Sequence, residues 1–178
     1  MRIVAGTLGG RRIAAPPGTD TRPTSDRVRE ALFSALGPLD PATRVLDLFA
    51  GSGALAIEAL SRGAASAILV EKDARTIKVI RDNLKALDLD AVVRRRDALA
   101  ALRDAREAGE SYDLVFLDPP YRLATGLGPE LALALAPLLA PGARVVGESD
   151  RRQPLDLPGM STTFERRYGD TLLRIHTA

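Results

Sequence analysis

The residues best suited to chemistry are the tetrapeptide Asp118-Pro119-Pro120-Tyr121, which directly follows the apolar run 114–117. The amine of a nucleic-acid base is a weak nucleophile because its lone pair is delocalised into the ring. Asp118, or a backbone carbonyl held in place by Pro119, could accept a hydrogen bond from such an amine, and Tyr121 could stack on an extruded base. The tetrapeptide therefore predicts methylation of an exocyclic base amine. The alternative interpretation is a proline-rich turn that only ends a strand.

A glycine turn that could bind a cofactor lies earlier in the chain. Gly51 and Gly53 belong to a G-x-G-x-x-A pattern between a predicted strand and a predicted helix, where the missing Cβ atoms would let a ligand approach the backbone. Glu71 ends the next predicted strand and could accept hydrogen bonds from both ribose hydroxyls. This pattern fits nicotinamide cofactors as well as S-adenosylmethionine, and tight strand-to-helix packing without a ligand is a third interpretation.

Two further carboxylates favour S-adenosylmethionine. Asp47 precedes the glycine turn, where its negative charge would repel a pyrophosphate but suits an ammonium group and a sulfonium. Asp97 follows the third predicted strand and could accept the amino hydrogen of adenine. Acidic residues at strand ends are often only solvated, which is the competing interpretation for Asp97 and for Glu71. We predict S-adenosylmethionine as the cofactor.

The first 43 residues contain a basic arm. The segments 2–4 and 11–13 are predicted to pair through Gly9-Gly10, and a proline-rich connector leads to a predicted helix over 25–36 with Thr24 or Ser25 as its N-cap. Positive charges outnumber negative ones here, which suits contact with phosphates, although a solvated charged face would look the same. The arginines expected to contact RNA are Arg2, Arg11, Arg12, Arg22 and Arg29.

Alternating strands and helices from residue 44 onward must position these motifs. The predicted strands are 44–49, 67–71, 91–94, 112–118 and 143–148, and the predicted helices are 53–62, 74–86, 99–108 and 130–139, the last ended by Pro141-Gly142. Two β-rich runs, 163–168 and 171–176, predict an antiparallel hairpin through Gly169-Asp170. The pattern predicts an α/β fold, with a Rossmann-like, mostly parallel seven-stranded sheet. We expect an extension over 1–43 and a catalytic domain over 44–178.

Composition limits the remaining classes of function. A chain of 178 residues fits one hydrophobic core, and the absence of cysteine excludes disulfides, thiolate metal sites and cysteine nucleophiles. His176 is the one histidine, and the sequence lacks the partners that a histidine triad or a metal cluster would need. We predict that His176 is solvated at the end of a strand. Without a signal sequence or a long apolar run, we expect a cytoplasmic monomer with no metal and no membrane segment. The 25 basic residues are mostly arginine, which suits phosphates but is also typical of a GC-rich genome.

With these motifs in hand, the chain resembles the RsmD family, the small-subunit ribosomal RNA guanine-N2 methyltransferases, whose fold is the class I methyltransferase fold. The arm motif is more specific to that family than the glycine turn, which many methyltransferases share. The matching segments are Arg2–Gly6, Arg22–Glu30, Asp47–Gly53, Glu71–Asp73 and Asp118–Tyr121.

The resemblance implies a role for each motif. S-adenosylmethionine would be bound by Asp47, Gly51, Gly53, Glu71, Lys72 and Asp97, with Thr24 and Arg27 lining its pocket. The segment Asp118–Tyr121 would hold the guanine and its N2 amine, and the arginine-bearing hairpin would grip 16S rRNA in a small ribosomal subunit or an assembly intermediate. One departure is the neutral stretch 7–10, where family members often carry an aromatic residue and further basic residues.

Three other functions remain open from the sequence. A DNA methyltransferase acting on adenine N6 or cytosine N4 could use the same tetrapeptide, although no separate target-recognition domain is evident. A non-catalytic RNA-binding assembly factor could keep the cofactor fold, and a nicotinamide reductase could use the same glycine turn.

Overall fold

The computed structural model describes residues 1–16 and 25–177, with residues 121–125 described by their backbone alone. In this part of the chain the strands are β1 (Arg44–Asp47), β2 (Ser66–Glu71), β3 (Val92–Arg95), β4 (Tyr112–Leu117), β5 (Leu139–Asp150), β6 (Ser161–Tyr168) and β7 (Thr171–Thr177). The α-helices are α1 (Asp26–Leu36), α2 (Ala54–Ser61), α3 (Ala74–Leu87), α4 (Ala98–Glu107) and α5 (Tyr121–Leu135).

All seven of these strands join one sheet in the order β3-β2-β1-β4-β5-β7-β6. Strands β1 to β5 are parallel, whereas β7 runs antiparallel between β5 and β6. The chain builds outward from β1 to β3 and then crosses to the other side of β1 to form β4. Strand order therefore reverses between β1 and β4, and in open α/β sheets ligands bind outside the carboxyl ends of the strands at such a point.

Helices cover both faces of the sheet. Side chains of α1, α2 and α3 pack on one face against Val45, Leu69 and Phe116, and we call this the α1–α3 face. Side chains of α4 and α5 pack on the other face against Leu46 and Val115. The central strands are apolar on both sides because both faces are covered. The predicted α/β sheet with its closing hairpin is confirmed.

Sequence reasoning misplaced the fifth helix. It predicted a helix over 130–139 that Pro141-Gly142 would end, but α5 begins at Tyr121, ends at Leu135 and continues as a single 3-10 turn into β5. Gly128 and Pro129, two residues that disfavour the interior of a helix, lie inside α5. A Cβ at Gly128 would lie 2.0 Å from the carbonyl oxygen of Asp156, so close packing on the β5–β6 connection requires glycine inside this helix.

The basic arm packs on the α1–α3 face. Its two segments pair as predicted, through an isolated bridge between Arg2 and Arg12 and a hydrogen bond from the Ile3 N–H to the Arg11 carbonyl at 2.9 Å. Ile3 and Ile13 are buried among the core residues of that face. The apolar side of the hairpin is thereby part of the protein core, whereas Arg2, Arg11 and Arg12 are exposed.

His176 is buried rather than solvated, so that prediction was wrong. It lies in β7, which is an interior strand, and its Nδ1 is 3.1 Å from the Thr162 hydroxyl. Burial lowers the pKa of this imidazole. None of the helices in the described ranges combines the length and the apolar character needed to cross a bilayer.

Candidate active site

Two sequence-predicted carboxylates lie side by side at the switch point of the sheet. Asp47 ends β1 and Asp118 directly follows β4, its hydrogen-bonded neighbour. Asp47 is opposite Phe116 in the register, and alternation along β4 places Asp118 on the same face as Phe116. Both carboxylates therefore project from the carboxyl edge toward the α1–α3 face.

The environment of Asp47 suits a carboxylate that binds a cationic ligand. Its side chain is 1% exposed, and its Oδ2 atom has no hydrogen-bond partner within the described residues. Burial raises the pKa of Asp47 to about 7, repulsion from Glu71 adds to the shift, and backbone hydrogen bonds from Ala56 and Phe49 offset part of it. A buried oxygen of this kind costs free energy until a donor reaches it.

The two glycines of the turn have different reasons for being glycine. Gly53 has φ +81° and a Cβ there would lie 3.0 Å from the Leu69 side chain, so helix-to-sheet packing alone requires it. Gly51 has φ +53°, and among the described residues a Cβ there would meet nothing closer than the Phe49 carbonyl oxygen at 3.9 Å. Packing therefore accounts for Gly53, whereas no described side chain packs against Gly51, which leaves space for a ligand there.

Glu71 reaches across to the glycine turn. Its Oε2 accepts a hydrogen bond from the Gly51 N–H at 3.3 Å, and its Oε1 accepts from the backbone N–H groups of Lys72 and Asp73 at 2.8 and 2.9 Å. These bonds fix the carboxylate beside the turn. The side chain of Lys72 is exposed, and its backbone is what orders Glu71.

Asp97 is an exposed helix cap. It precedes α4, and its Oδ1 accepts hydrogen bonds from the backbone N–H groups of Leu99 and Ala100 at 3.1 and 3.5 Å. Capping explains an aspartate at this position by itself. Its contact with adenine stays a prediction.

The acidic proline turn places a carboxyl group where ionisation is unfavourable. Burial raises the pKa of Asp118 well above its usual range, and repulsion from Glu148 and then from Asp47 raises it further. Pro119 is buried, while Pro120 is exposed and immediately precedes α5. The side chain of Tyr121 lies outside what the structure describes, so its stacking on a base stays a prediction.

Sequence reasoning missed Glu148. This residue lies in β5, is 5% exposed and belongs to the same acidic group as Asp47 and Asp118. The signal that singled out the other two, an acidic residue at the end of an apolar strand, was also present here. It was overlooked because the neighbourhood of β4 and β5 is not evident from one sequence.

Helix α1 directs the arm toward this edge. Arg144, which pairs in register with Leu114 near the amino end of β4, donates a hydrogen bond to the Leu36 carbonyl at the end of α1. One turn earlier the Phe33 ring lies 5.9 Å from the ring of Phe116, near the carboxyl end of β4. The helix therefore points its amino end toward the edge that bears Asp118. Ser25 caps it as predicted, since its hydroxyl accepts a hydrogen bond from the Val28 N–H at 3.3 Å.

Not all predicted arm residues fit their predicted roles. Arg29 was expected to contact RNA, but it is 1% exposed and its Nη2 donates to the Arg2 carbonyl at 2.5 Å and to Asp26 at 2.7 Å. A guanidinium enclosed in this way cannot reach a phosphate, so that role is wrong and Arg29 instead holds the hairpin on α1. Arg27 is exposed on α1. Thr24 and Arg22 lie outside the described residues.

The hairpin arginines are exposed, and they differ in the hydrogen bonds that they already make. Arg2 pairs with Asp26 at 3.1 Å, and Arg11 donates to the Ala86 carbonyl at 2.6 Å. Arg12 is exposed as well. All three guanidinium groups lie at the surface, where phosphates could compete for them.

Two buried polar residues that sequence reasoning did not single out fasten the arm to the catalytic half. Glu58 of α2 accepts hydrogen bonds from the backbone N–H groups of Val4 and Ala5 at 2.7 and 3.0 Å. Asn83 of α3 exchanges hydrogen bonds with the backbone of Ala14 and donates to the Ser52 carbonyl of the glycine turn at 3.0 Å. The arm and the glycine turn therefore share one anchor.

Comparison with known proteins gives a consistent family. Residues 1–177 match the family model described as conserved hypothetical protein 95. The ribosomal RNA small subunit methyltransferase D of Haemophilus influenzae is 34% identical over 170 residues, which cover 94% of this chain and 88% of that protein. Its Escherichia coli counterpart is 42% identical over 123 residues, which cover 68% of this chain but only 61% of the relative's length.

A solved structure agrees over almost the whole chain. The Escherichia coli protein yhhF superposes with a TM-score of 0.85 at 37% identity, covering 99% of this chain and 97% of that one. The crystal structure of a protein described as a putative methyltransferase, with S-adenosylhomocysteine bound, superposes with a TM-score of 0.71 at 14% identity. This likeness supports the Rossmann-like methyltransferase fold. The chain belongs to the conserved hypothetical protein 95 family, that is, the RsmD family.

Proposed function

We propose that this protein transfers a methyl group from S-adenosylmethionine to the exocyclic N2 amine of a guanine in small-subunit (16S) ribosomal RNA. The observation that carries the proposal is the shared edge and face of Asp118 in the acidic proline turn and Asp47, whose buried Oδ2 atom has no hydrogen-bond partner among the described residues. Family membership and the names of the relatives support ribosomal RNA as the substrate class. The reaction belongs to the cytoplasm, where ribosomal subunits assemble.

The donor set at the glycine turn fits S-adenosylmethionine. The Oδ2 atom of Asp47 would accept a hydrogen bond from the ammonium group, and the open surface at Gly51 would admit the cofactor. Glu71 would accept from the ribose hydroxyls, and the remaining predicted contacts are Gly53, Lys72, Asp97, Thr24 and Arg27. When bound, S-adenosylmethionine supplies an electrophilic methyl group on sulfur.

The chain's own contribution to the chemistry is positioning. Asp118, or a carbonyl of the Pro119-Pro120 turn, accepts a hydrogen bond from the guanine amine, which draws electron density onto nitrogen and aims its lone pair at the methyl group. The surplus proton leaves after transfer. Tyr121 would stack on the extruded base.

The extension and the catalytic half divide the remaining work. Residues 1–43 would contact RNA through Arg2, Arg11 and Arg12, and residues 44–178 would bind the cofactor and carry out the transfer. The substrate would be 16S rRNA in a small subunit or an assembly intermediate, acted on by a monomeric protein. The neutral hairpin tip at 7–10 would leave phosphate contact to the arginines that flank it.

A transfer assay tests this proposal. Purified protein and labelled S-adenosylmethionine are incubated with small-subunit RNA, with assembled small subunits and with duplex DNA. We expect label in RNA or subunits and none in DNA, with N2-methylguanosine as the labelled nucleoside. Label only in adenine or cytosine of duplex DNA would replace the proposal by a DNA methyltransferase, and binding without transfer to any substrate would indicate an assembly factor.

A further inference from the structure

The closing hairpin brings arginines to the edge of the sheet that bears the acidic proline turn. Strand β6 is antiparallel to β7, which is antiparallel to β5, so β6 runs in the same direction as β4 and ends at the same carboxyl edge. In the register Arg166 is opposite Leu173 of β7, and Leu173 is opposite Glu148, which follows the last β5 residue paired with β4. Arg166 therefore lies three strand spacings of about 4.8 Å, or about 14 Å, across the edge from Asp118.

Arg166 also lies on the face of the sheet that bears the site. Residues directly opposite each other in an antiparallel pair share a face, and Leu173 belongs to the core of the α1–α3 face. Asp47 and Asp118 project toward the same face. Arg166 is exposed there, and alternation places its exposed neighbour Arg167 on the other face. The two guanidinium groups therefore flank the edge strand of the sheet.

An aromatic ring positions Arg166. Its guanidinium carbon lies 5.8 Å from the centre of the Tyr168 ring, and Tyr168 packs against the core of the α1–α3 face. A cation–π contact of this kind orients the guanidinium group without neutralising its charge. The planar fork of an arginine can then donate two parallel hydrogen bonds to the oxygens of a phosphate.

The carboxylates around these arginines already have partners. They are Asp170, which pairs with Arg151 at 3.0 Å, Glu165, which pairs with Arg174 at 2.8 Å, and Asp150, which accepts a hydrogen bond from the Arg152 backbone N–H at 2.7 Å. The guanidinium groups of Arg152, Arg166 and Arg167 are exposed and form no ion pair with any residue that the structure describes. We call these three arginines the β6 corner. Their charge at the active-site edge suits a polyanion.

The β6 corner and the basic arm lie on opposite sides of the acidic proline turn. The arm is fastened to α2 and α3 through Glu58 and Asn83, and these two helices pack on β1, β2 and β3. The β6 corner lies at the other end of the strand order, and β4 with its turn lies between the two surfaces. An RNA strand that contacts both would cross the place where the target base is inserted. Contacts on both sides offset the cost of extruding that base.

We propose that the β6 corner is a second RNA-binding surface, which binds phosphates that flank the target guanine on the side away from the arm. The inference rests on the proposed function and deepens it, because it assigns RNA contact to the catalytic half as well as to the arm. Phosphates carry no base identity, so this surface supplies affinity and register and leaves the choice of base to the site.

The test measures the binding of 16S rRNA by Arg166→Gln/Arg167→Gln, a double variant that keeps two polar side chains but removes two charges. The matched control is Arg103→Gln/Arg106→Gln, which removes two exposed arginines from α4 on the opposite face of the sheet. Filter binding at several salt concentrations gives the affinity and the slope of log affinity against log salt. Melting temperature and calorimetric affinity for S-adenosylhomocysteine report on the fold and on the cofactor site.

We expect the β6 double variant to bind 16S rRNA about tenfold more weakly at low salt. The magnitude of its salt slope should fall by about 1.4, because each phosphate contact with a single strand contributes about 0.7. The control should bind RNA within about twofold of the wild type. Melting temperature and affinity for S-adenosylhomocysteine should match the wild type in both double variants.

Two results would overturn the inference alone. One is a wild-type affinity and salt slope in the β6 double variant of a protein that methylates 16S rRNA. The other is an equal loss in the control, because net charge rather than a localised surface would then account for binding. If the β6 double variant is less stable than the wild type, Arg167→Gln alone replaces it and should reduce the slope by about 0.7. Wild-type protein that methylates duplex DNA and not RNA would refute the proposed function itself.

Discussion

Strands β1 and β4 carry charged residues at both ends, and the two ends are built in opposite ways. At the amino end Asp113 accepts hydrogen bonds from the Arg44 Nε at 2.9 Å and from its backbone N–H at 2.8 Å, and the Arg44 side chain holds the pKa of Asp113 below its usual range. At the carboxyl end burial raises the pKa of Asp47 and of Asp118, and repulsion adds to both shifts, from Glu71 for Asp47 and from Glu148 and Asp47 for Asp118.

The contrast separates a stabilising end from a functional end. The amino end is neutralised within the protein, so it contributes to folding and leaves nothing for a ligand to satisfy. At the carboxyl end the charges raise one another's pKa values, and the Oδ2 atom of Asp47 has no hydrogen-bond partner among the described residues. Local rules that favour stability are broken at this carboxyl edge, which is where an open α/β sheet binds its ligands.

Replacing Asp118 with asparagine should have the largest effect on activity. The amide is a poorer acceptor for the guanine amine, so kcat should fall by about a hundred- to a thousandfold, while affinity for S-adenosylhomocysteine stays within about threefold. Because the folded-state pKa of Asp118 is raised, its ionisation destabilises the fold as pH rises, and the variant should be at least as stable as wild type at pH 8.

The same exchange at the other end of the strand is the matched control. Asp113→Asn should leave kcat within about twofold and should lower stability slightly, because the Asp113 pair with Arg44 is partly exposed. Its contribution is present above the unfolded pKa of the carboxyl and is lost as pH falls through the lowered folded pKa. Equal kcat losses in both variants would remove the distinction between the two ends.

Asp47 should control the pH dependence of cofactor binding. With a pKa of about 7, its carboxyl is mostly ionised at pH 8 and mostly protonated at pH 6. Affinity for S-adenosylmethionine should therefore fall about tenfold when the pH is lowered from 8 to 6. Calorimetric titration across this range measures the effect. Asp47→Asn should weaken binding by about ten- to a hundredfold and abolish the pH dependence; unchanged affinity at both pH values would remove Asp47 from the cofactor site.

Asn83 should couple stability to cofactor binding. Asn83→Ala leaves the Ala14 N–H and the Ser52 carbonyl without this partner, so the free energy of unfolding should fall by about 1–3 kcal/mol in urea denaturation. Cofactor affinity should drop a few-fold because the glycine turn is less ordered. Asp82→Ala, an exposed neighbour paired with Lys78, is the control, and an equally large effect there would contradict the anchoring role.

Replacing arginines of the arm should have the smallest effect on function, and it should separate a residue that binds RNA from one that stabilises the fold. Arg12→Ala should weaken RNA binding a few-fold and reduce the slope of log affinity against log salt by about 1, without a change in melting temperature. Arg29→Ala should lower the melting temperature and leave the salt slope unchanged, because the Arg29 guanidinium is enclosed and holds the hairpin on α1. Filter binding at several salt concentrations measures the effect of Arg12→Ala. A salt slope equal to that of the wild type would show that Arg12 does not contact RNA phosphates.

The sheet and the strand-end residues were predictable because their causes are local. Apolar runs followed by Asp47, Glu71 and Asp118 mark the carboxyl ends of buried strands whatever the rest of the chain does. Ser25 as a helix cap and Gly169-Asp170 as a hairpin turn follow from backbone chemistry in the same way.

The features that sequence reasoning missed depend on neighbours far away in the chain. Arg29 is buried only because the hairpin returns to α1, and Gly128 fits a helix only because the Asp156 carbonyl lies against it. Glu148 joins the site through strand order, and Asn83 joins two segments that are 31 and 69 residues away from it. No periodicity or short motif records such contacts.

The most direct test of the account is nucleoside mass spectrometry of 16S rRNA from cells that lack this protein. We predict the loss of one N2-methylguanosine, restored by the wild-type gene and not by Asp118→Asn. If every N2-methylguanosine of the 16S rRNA persists in those cells, the charged carboxyl edge does not serve the reaction assigned to it.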